Sequence, residues 1–567
     1  MKVTDYIIEY LVANEISDIF GYPGGVICHL IDSATKYSDK ISIHTNYHEQ
    51  ASAFSACGYA QECGKLGVAF STSGPGATNL VTGIANAYFD SVPVLFLTGQ
   101  VDTYGLKGNL PIRQRGFQET DIVSMVKPVT KYAVRVDNPE DIVYELEKAV
   151  TVAFQGNPGP VLLDLPADVQ RAEIEISQCK HYILEKQETI DYHEMVKKLN
   201  EKLSYSVRPC LLIGNGVKQS FSVDLLKEII HKAHIPAVFS MPAFDTLPFD
   251  DVFNFGFIGA NGHRFSNFVL GKSDLIITIG SRLDLKQVGN NRSEFAKQAQ
   301  IIRIDIDDGN LCYKVHDDEI QIKSDIKNLL MYWLKSEIPT VSQEWNSICK
   351  ELKCRLIGYD NADYTNLLRD FCKLLPDNTT ITADVGQSEV WVAQQLQVKK
   401  RQSVHMSAGL GSMGYSLPAA IGAYYATNKP VISFNGDGGI QMNIQELQFI
   451  ARERLPITVV VINNKSLGMI RGFQEANFDK NYSQTTNETG YSAPDFSKIA
   501  NAYGLNYEKI ECKKDIDTID LNSGVPKLIE IVLHGDTLLE PNFGRNGLLQ
   551  DQRPYLDRML FDELMKL

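Results

Sequence analysis

Two short segments carry the residue types that a magnesium-bound diphosphate requires. Gly436-Asp437-Gly438 closes the apolar run PVISF, and Asn463-Asn464 closes the next run, ITVVVI. Glycines let backbone N–H groups approach a diphosphate closely, while an Asp carboxylate and an Asn amide oxygen are hard ligands for Mg²⁺ bridging its oxygens. An Asp-Gly pair alone marks many ordinary turns, so the reading depends on where the fold puts both segments. If each run is a strand of a parallel sheet, both motifs fall at its carboxyl edge, where open α/β sheets bind ligands.

The rest of the chain predicts such sheets. Short β-branched or aliphatic runs alternate with helical patterns throughout: VAFSTS and VLFLTGQ early, PCLLIGNG, LIITIGS and IIRIDID in the middle, PVISFNGDG and ITVVVINN late. This alternation belongs to parallel α/β sheets. A length of 567 residues accommodates three such domains. Two polar stretches without strand signals, around residues 170–193 and 336–355, read as linkers. They divide the chain into doubly wound α/β domains over residues 1–175, 190–340 and 355–567. No tandem repeat or low-complexity tract points to a solenoid.

Composition narrows the function classes. The formal net charge is -14, without the basic tract of a nucleic-acid arm. No apolar run reaches the roughly 20 residues of a membrane span. The opening MKVTDYIIEYLVANEISDIF reads as an amphipathic helix, with Asp5 and Glu9 in place of a secretion signal's apolar stretch. A cytoplasmic location is the expectation. The ten cysteines include no CxxC pair. The couples Cys57/Cys63 and Cys349/Cys354 lack partners for a zinc site, so reduced, mostly buried thiols are expected.

The segment GDGGIQMNIQELQFIARERLPITVVVINN resembles the diphosphate-binding motif of thiamin-diphosphate enzymes. The blocks GYPGG (21–25), HEQASAFSACGYAQ (48–61), TSGPGATNLVTGIANAYFDSVPVLFLTGQV (72–101), FQETDIV (117–123), PGPVLLDLP (158–166), DVGQSEVWVAQ (384–394) and GLGSMGYSLPAAIGA (409–423) resemble acetolactate synthase catalytic subunits. The resemblance implies an amino-terminal pyrimidine-binding domain, a central domain, and a carboxyl-terminal diphosphate-binding domain. It also implies a decarboxylating carboligase acting on a 2-oxo acid, pyruvate first of all.

Carried over by matched position, Asp437, Asn464 and the Ser466 carbonyl would hold Mg²⁺. Gly436, Gly438, Gly439, Gly468, Met469, Val385, Gly386, Gln387, Ser388 and Gly411 would line the diphosphate and thiazolium side. Glu49 would hydrogen-bond N1′ of the aminopyrimidine, favouring the imino tautomer whose 4′-nitrogen activates the thiazolium C2. Pro75, Asn79 and Gly25 would lie beside it. Met413 would wedge between the cofactor rings. Gly25, Val26, Phe117 and Gln118 would form the low-polarity donor pocket, with Gln118 a hydrogen-bond partner. GNG (214–216), IGSRLD (279–284) and IRIDID (302–307) resemble flavin-binding segments, so Gly214, Gly216, Arg282 and Asp305 would contact FAD in a structural role. Asn157 departs from this pattern where the family has Arg. Sites between chains, in a homodimer or dimer of dimers, are also implied.

Departures gather on the acceptor side. The family's Lys, Met, Arg and Trp are replaced by Ala167, Ala260, Lys286 and Phe473. Lys286 keeps a positive charge but loses the planar fork that grips a carboxylate. The stretch VDTYGLKGNLPIRQRG carries Lys107, Arg113 and Arg115 and reads either as a solvated or subunit-contact loop or as a phosphate-binding patch. With the altered tail, residues 539–558, these features resemble branched-sugar synthases and favour a nucleotide-linked 4-keto sugar as acceptor. The alternative is an ordinary acetolactate synthase joining two pyruvates or pyruvate and 2-oxobutyrate. A pyruvate oxidase and a non-catalytic paralogue complete the set of readings.

Overall fold

The computed structural model describes residues 1–184, 190–535, 537–543 and 548–567. Part of the first linker (185–189) and part of the altered tail (544–547) lie outside the described residues. Three parallel sheets of six strands each organise the chain. The first holds β1 (Asp18–Gly21), β2 (Ser42–Thr45), β3 (Gly67–Ser71), β4 (Val94–Gln100), β5 (Tyr132–Arg135) and β6 (Val161–Pro166), in the order β2-β1-β3-β4-β6-β5. The second holds β7 (Pro209–Ile213), β8 (Ala237–Phe239), β9 (Asn254–Phe257), β10 (Leu275–Ile279), β11 (Gln300–Asp305) and β12 (Ile320–Lys323), in the order β12-β11-β10-β7-β8-β9. The third holds β13 (Thr380–Ala383), β14 (Ser403–Met406), β15 (Val431–Gly436), β16 (Ile457–Asn463), β17 (Asn506–Ile510) and β18 (Lys527–Val532), in the order β14-β13-β15-β16-β18-β17.

The outer sheets share one order, and in each the strand sequence reverses between the first and third strands. The central sheet reverses between β7 and β10. Such switch points open crevices at the carboxyl ends of the strands, and several of the recognised motifs stand at one. GYPGG and TSGPG follow β1 and β3, GNG and GSR follow β7 and β10, and DVGQ and GDG follow β13 and β15. Central strands such as β4, β10 and β16 are buried along their whole length. This explains their continuous apolar runs: helices cover both faces of a parallel sheet.

The first and third domains lock together through the helices Glu49–Cys63 and Ser416–Thr427. A Cβ on Gly58 would stand 2.1 Å from the Ala419 carbonyl oxygen, and one on Gly422 would stand 1.8 Å from that of Ser55. Only glycine permits this approach. Around the crossing, the partly buried Glu62 carboxylate accepts from Thr380 Oγ1 (2.9 Å) and Ser403 Oγ (2.9 Å) and meets His405 Nε2 at 2.6 Å. Glu446 accepts from Asn46 Nδ2 (3.0 Å) and the Tyr47 N–H (2.8 Å).

Three expectations are corrected. Residues 336–355 are not an open linker, because the helix Gln343–Leu356 buries Trp345, Cys349, Leu352 and Leu356 on the central domain. The opening segment is a helix only over Val3–Ala13 and then turns into β1. All ten cysteines are free thiols, but only Cys57, Cys210, Cys349 and Cys372 are buried. Among the described residues no helix is long and apolar enough to cross a membrane.

Candidate active site

The third domain builds one half of the site from three loops. Asp384, the residue after β13, is fully buried and accepts from the backbone N–H groups of Gly414 (3.0 Å) and Tyr415 (2.8 Å). Burial pushes its carboxyl up to about 6, against those hydrogen bonds. Its Oδ2 would be only 1.9 Å from a Cβ on Gly439. One side chain therefore clamps the loop bearing Met413 under the loop bearing Gly436, Asp437 and Gly438. Gly411 and Gly414, with φ of 73° and 80°, make the turn that carries Met413 outward. Met413 remains 36% exposed although it sits among buried neighbours.

Asp437 is 3% exposed. Its Oδ1 accepts from the Gly438 N–H (3.0 Å), whereas Oδ2 is buried without a hydrogen-bond partner among the described residues. Burial pushes this carboxyl up to about 6. A buried unpaired carboxylate oxygen is costly unless a cation meets it. Asn464 lines the same cavity. Its Nδ2 donates to Gln387 Oε1 (2.8 Å) and Thr537 Oγ1 (3.1 Å), which orients its amide oxygen for a ligand. Ser466 Oγ turns away to the Thr485 carbonyl (2.9 Å). A Cβ on Gly468 would lie 1.7 Å from Gln387 Oε1, so a side chain there would push Gln387 off Asn464. Among the described residues no group of three or more His, Cys, Asp or Glu side chains could hold a metal. One carboxylate plus amide and carbonyl oxygens instead fits Mg²⁺ that completes its shell with diphosphate oxygens.

These residues line a cavity of about 1200 Å³ that runs from Asp437, Asn464, Ser466, Gly468 and Met469 past Val385–Ser388, Gly411 and Met413 into the central domain. There it reaches Gly216, Arg282 and Asp305, with Ala260 and Lys286 also on its wall. Gly214 lies behind the lining, where a Cβ would meet the Gly280 carbonyl oxygen at 2.0 Å. Asp305 accepts from the Asp307 N–H (2.9 Å), and burial pushes its carboxyl up. Asn157 reaches the same wall and donates to Asp307 Oδ2 (3.3 Å).

The first domain holds a second cluster, separate from that cavity. Glu49 opens the helix Glu49–Cys63, is 9% exposed, and accepts from Asn79 Nδ2 (2.9 Å). Gly76 closes against it, as a Cβ there would be 3.1 Å from Glu49 Oε1. Gln118 takes a left-handed φ of 65° and packs over Gly74, next to Pro75. Gly25 has open space where a Cβ would be. The carbonyl of Val26 accepts from Gln170 Nε2 (2.7 Å). Phe117 is 85% exposed. None of Glu49, Gln118, Phe117 or Gly25 lines the cavity. Phe473, Ala167, Arg113 and Arg115 also lie off it, and the two arginines are exposed.

Sequence reasoning overlooked Asp384 as the clamp and Thr537 as a support for Asn464. Asp384 was visible as the acid opening DVGQ directly after a strand, whereas Thr537 carries no local signal.

The chain matches the N-terminal TPP binding domain of thiamine pyrophosphate (thiamin diphosphate) enzymes over residues 1–125, their central domain over 196–332 and their C-terminal TPP binding domain over 384–531. It is 37% identical over 541 residues to the acetolactate synthase large subunit of Lactococcus lactis, covering 93% of this chain and 92% of that one. With the acetolactate synthase isozyme 2 large subunit of Escherichia coli the identity is 32% over 541 residues, covering 94% and 95%. With the probable acetolactate synthase large subunit of Methanocaldococcus jannaschii it is 36% over 600 residues, covering 100% and 98%. The chain therefore belongs to the thiamine pyrophosphate enzymes, and among these to the acetolactate synthase type. It is a thiamin-diphosphate-dependent carboligase.

Proposed function

We propose that this enzyme is an acetolactate synthase: it decarboxylates pyruvate and joins the two-carbon unit to a second 2-oxo acid. The observation that carries the donor half is the buried, unpaired Asp437 Oδ2 beside the β13/β15 switch point, in a cavity that Asn464 also lines. When bound, thiamin diphosphate supplies the nucleophilic carbon and the electron sink for decarboxylation. Asp437, Asn464 and Ser466 would hold its metal, and Met413, projecting into the cavity, would pack against its rings. Glu49, kept in place by Asn79, would hold a proton against the cofactor's pyrimidine ring. Gln118, fixed by its strained backbone over Gly74, orients the donor, and Phe117 keeps water away from it.

Because the Glu49 cluster and the Asp437 cavity are separate within one chain, we propose that each complete site pairs the first domain of one subunit with the third domain of another. Exposed Met413, Met469, Ile470, Phe473 and Phe117 supply apolar surface for that contact. We further propose that the central lobe, with Gly214, Gly216, Arg282 and Asp305, takes FAD as a structural group.

For the acceptor, the names of the relatives support a second 2-oxo acid rather than the nucleotide-linked keto sugar that the departures favoured. Of the residues behind the sugar reading, only Ala260 and Lys286 line the cavity. Lys286 still brings a cation to a carboxylate acceptor. The test offers pyruvate alone, pyruvate with 2-oxobutyrate, and pyruvate with a nucleotide-linked 4-keto sugar, with products identified by mass spectrometry. Acetolactate and its 2-oxobutyrate homologue are expected. A keto-sugar adduct without acetolactate would reverse the assignment.

A further inference from the structure

The helix Gln387–Gln395 carries an acid for which the site as described has no use. Glu389 is 3% exposed, lines the cavity, and its Oε1 is buried without a hydrogen-bond partner among the described residues. An acid in the first turn of a helix ordinarily faces water and complements the helix dipole. This one is dry. The charged groups whose fields reach it are Lys286, which favours its ionisation, and Asp384 and Asp90, which oppose it. Burial dominates all three and pushes the carboxyl up to about 8. Strands β13 and β15 beneath the helix carry no titratable side chain. On the packed helix Asp363–Leu374, Arg369 is engaged by Asn361, Asn366 and Gln395.

We propose that Glu389 recognises the acceptor: as a neutral carboxylic acid it donates a hydrogen bond to the carboxylate of the 2-oxo acid that Lys286 attracts. Lys286 sits on the short helix Leu285–Val288, is exposed, and lines the same cavity. An ammonium on a flexible stem attracts a carboxylate without fixing its direction. A donor anchored on a buried helix turn fixes that direction, and a hydrogen bond to a charged group is the stronger kind. Asp437 serves the metal and Asp384 is saturated by backbone N–H groups. Glu389 is left as the acid on this helix turn with a vacant donor.

The inference rests on the 2-oxo acid acceptor proposed above, and the experiment separates the two. The measurement is the fraction of decarboxylated pyruvate captured by 2-oxobutyrate as its concentration rises, with acetolactate and released acetaldehyde as the remainder. Single-turnover CO₂ release, with enzyme in excess of pyruvate, reports the donor step. Glu389→Leu removes the donor while filling the space. Its half-capture concentration is expected to rise roughly tenfold to a hundredfold, the range of one hydrogen bond to a charged group, while CO₂ release changes far less. Glu389→Gln keeps an N–H donor and is expected to restore capture to near the native level. Capture unchanged in Glu389→Leu, or CO₂ release falling as steeply as capture in both variants, would overturn the role of Glu389. A native enzyme that captures no 2-oxo acid would overturn the acceptor reading and this inference with it.

Discussion

Asp437 and Glu49 divide the chemistry between binding the cofactor and activating it, so their variants should fail in different ways. Asp437→Ala leaves a diphosphate beside an incomplete metal site. Calorimetric titration with Mg²⁺ present should show thiamin diphosphate binding weakened by about 2–3 kcal/mol, the scale of a lost charged contact. The apoprotein of that variant should be no less stable than the native apoprotein, because a buried carboxylate oxygen without a partner is removed. Retained affinity would place the metal elsewhere. Glu49→Gln should bind the cofactor nearly normally yet lose at least about 10²-fold in turnover, the usual scale of a lost acid–base partner; near-normal turnover would remove Glu49 from the mechanism. At this scale the sequence is most readable where the chemistry demands unusual types at strand ends, as at Gly436–Gly439 and Asn464. It is least readable at Thr537 and Glu389, ordinary-looking residues whose importance arises from burial that only the assembled loops create.

The central apolar strands were legible as elements, since β4, β7, β10, β11, β15 and β16 are buried runs with one possible assignment. Edge strands such as β5 and β17 were not, because their partly exposed residues leave no continuous apolar run. The helix Gln343–Leu356 was hidden by its many polar residues, although Trp345, Cys349, Leu352 and Leu356 recur at helical spacing. What the helices contribute is tightest at the crossing of Glu49–Cys63 with Ser416–Thr427, where Gly58 and Gly422 each touch a facing carbonyl. Gly422→Ala should destabilise the fold by about 2–3 kcal/mol, the cost of overpacking a rigid contact, read as a fall in thermal or urea midpoint. An unchanged midpoint would mean that the crossing yields easily. Since the facing helix, Glu49–Cys63, carries Glu49 at its start, the same substitution should lower turnover more than it lowers cofactor affinity.

Across the whole molecule, Glu62 joins two domains and makes their union sensitive to acid. Burial alone would push its carboxyl up, but His405, Ser403 and Thr380 outweigh it and hold the group below its ordinary value of 4.5. An acid lowered in the fold binds protons less tightly there than when unfolded. Its contribution is therefore complete above pH 4.5 and disappears as pH falls through the lower folded value. Glu62→Gln should flatten that acid-side decline in unfolding experiments, whereas a decline of unchanged steepness would assign it to other carboxylates. The division of the active site into two clusters is also a property at this scale. The motifs revealed both clusters, but nothing in the linear order says that Glu49 stays clear of the cavity around Asp437.

That separation gives the most direct test of the central claim, that two chains share each carboligase site. Glu49→Gln and Asp437→Ala chains, each inactive alone, are mixed under conditions that exchange subunits, and acetolactate formation from pyruvate is measured. Random pairing makes half the dimers hybrid, and each hybrid holds one site with both groups intact, so about a quarter of native activity should return. A mixture that exchanges subunits yet stays as inactive as its components would mean that Glu49 and Asp437 act within one chain, and would contradict the shared site.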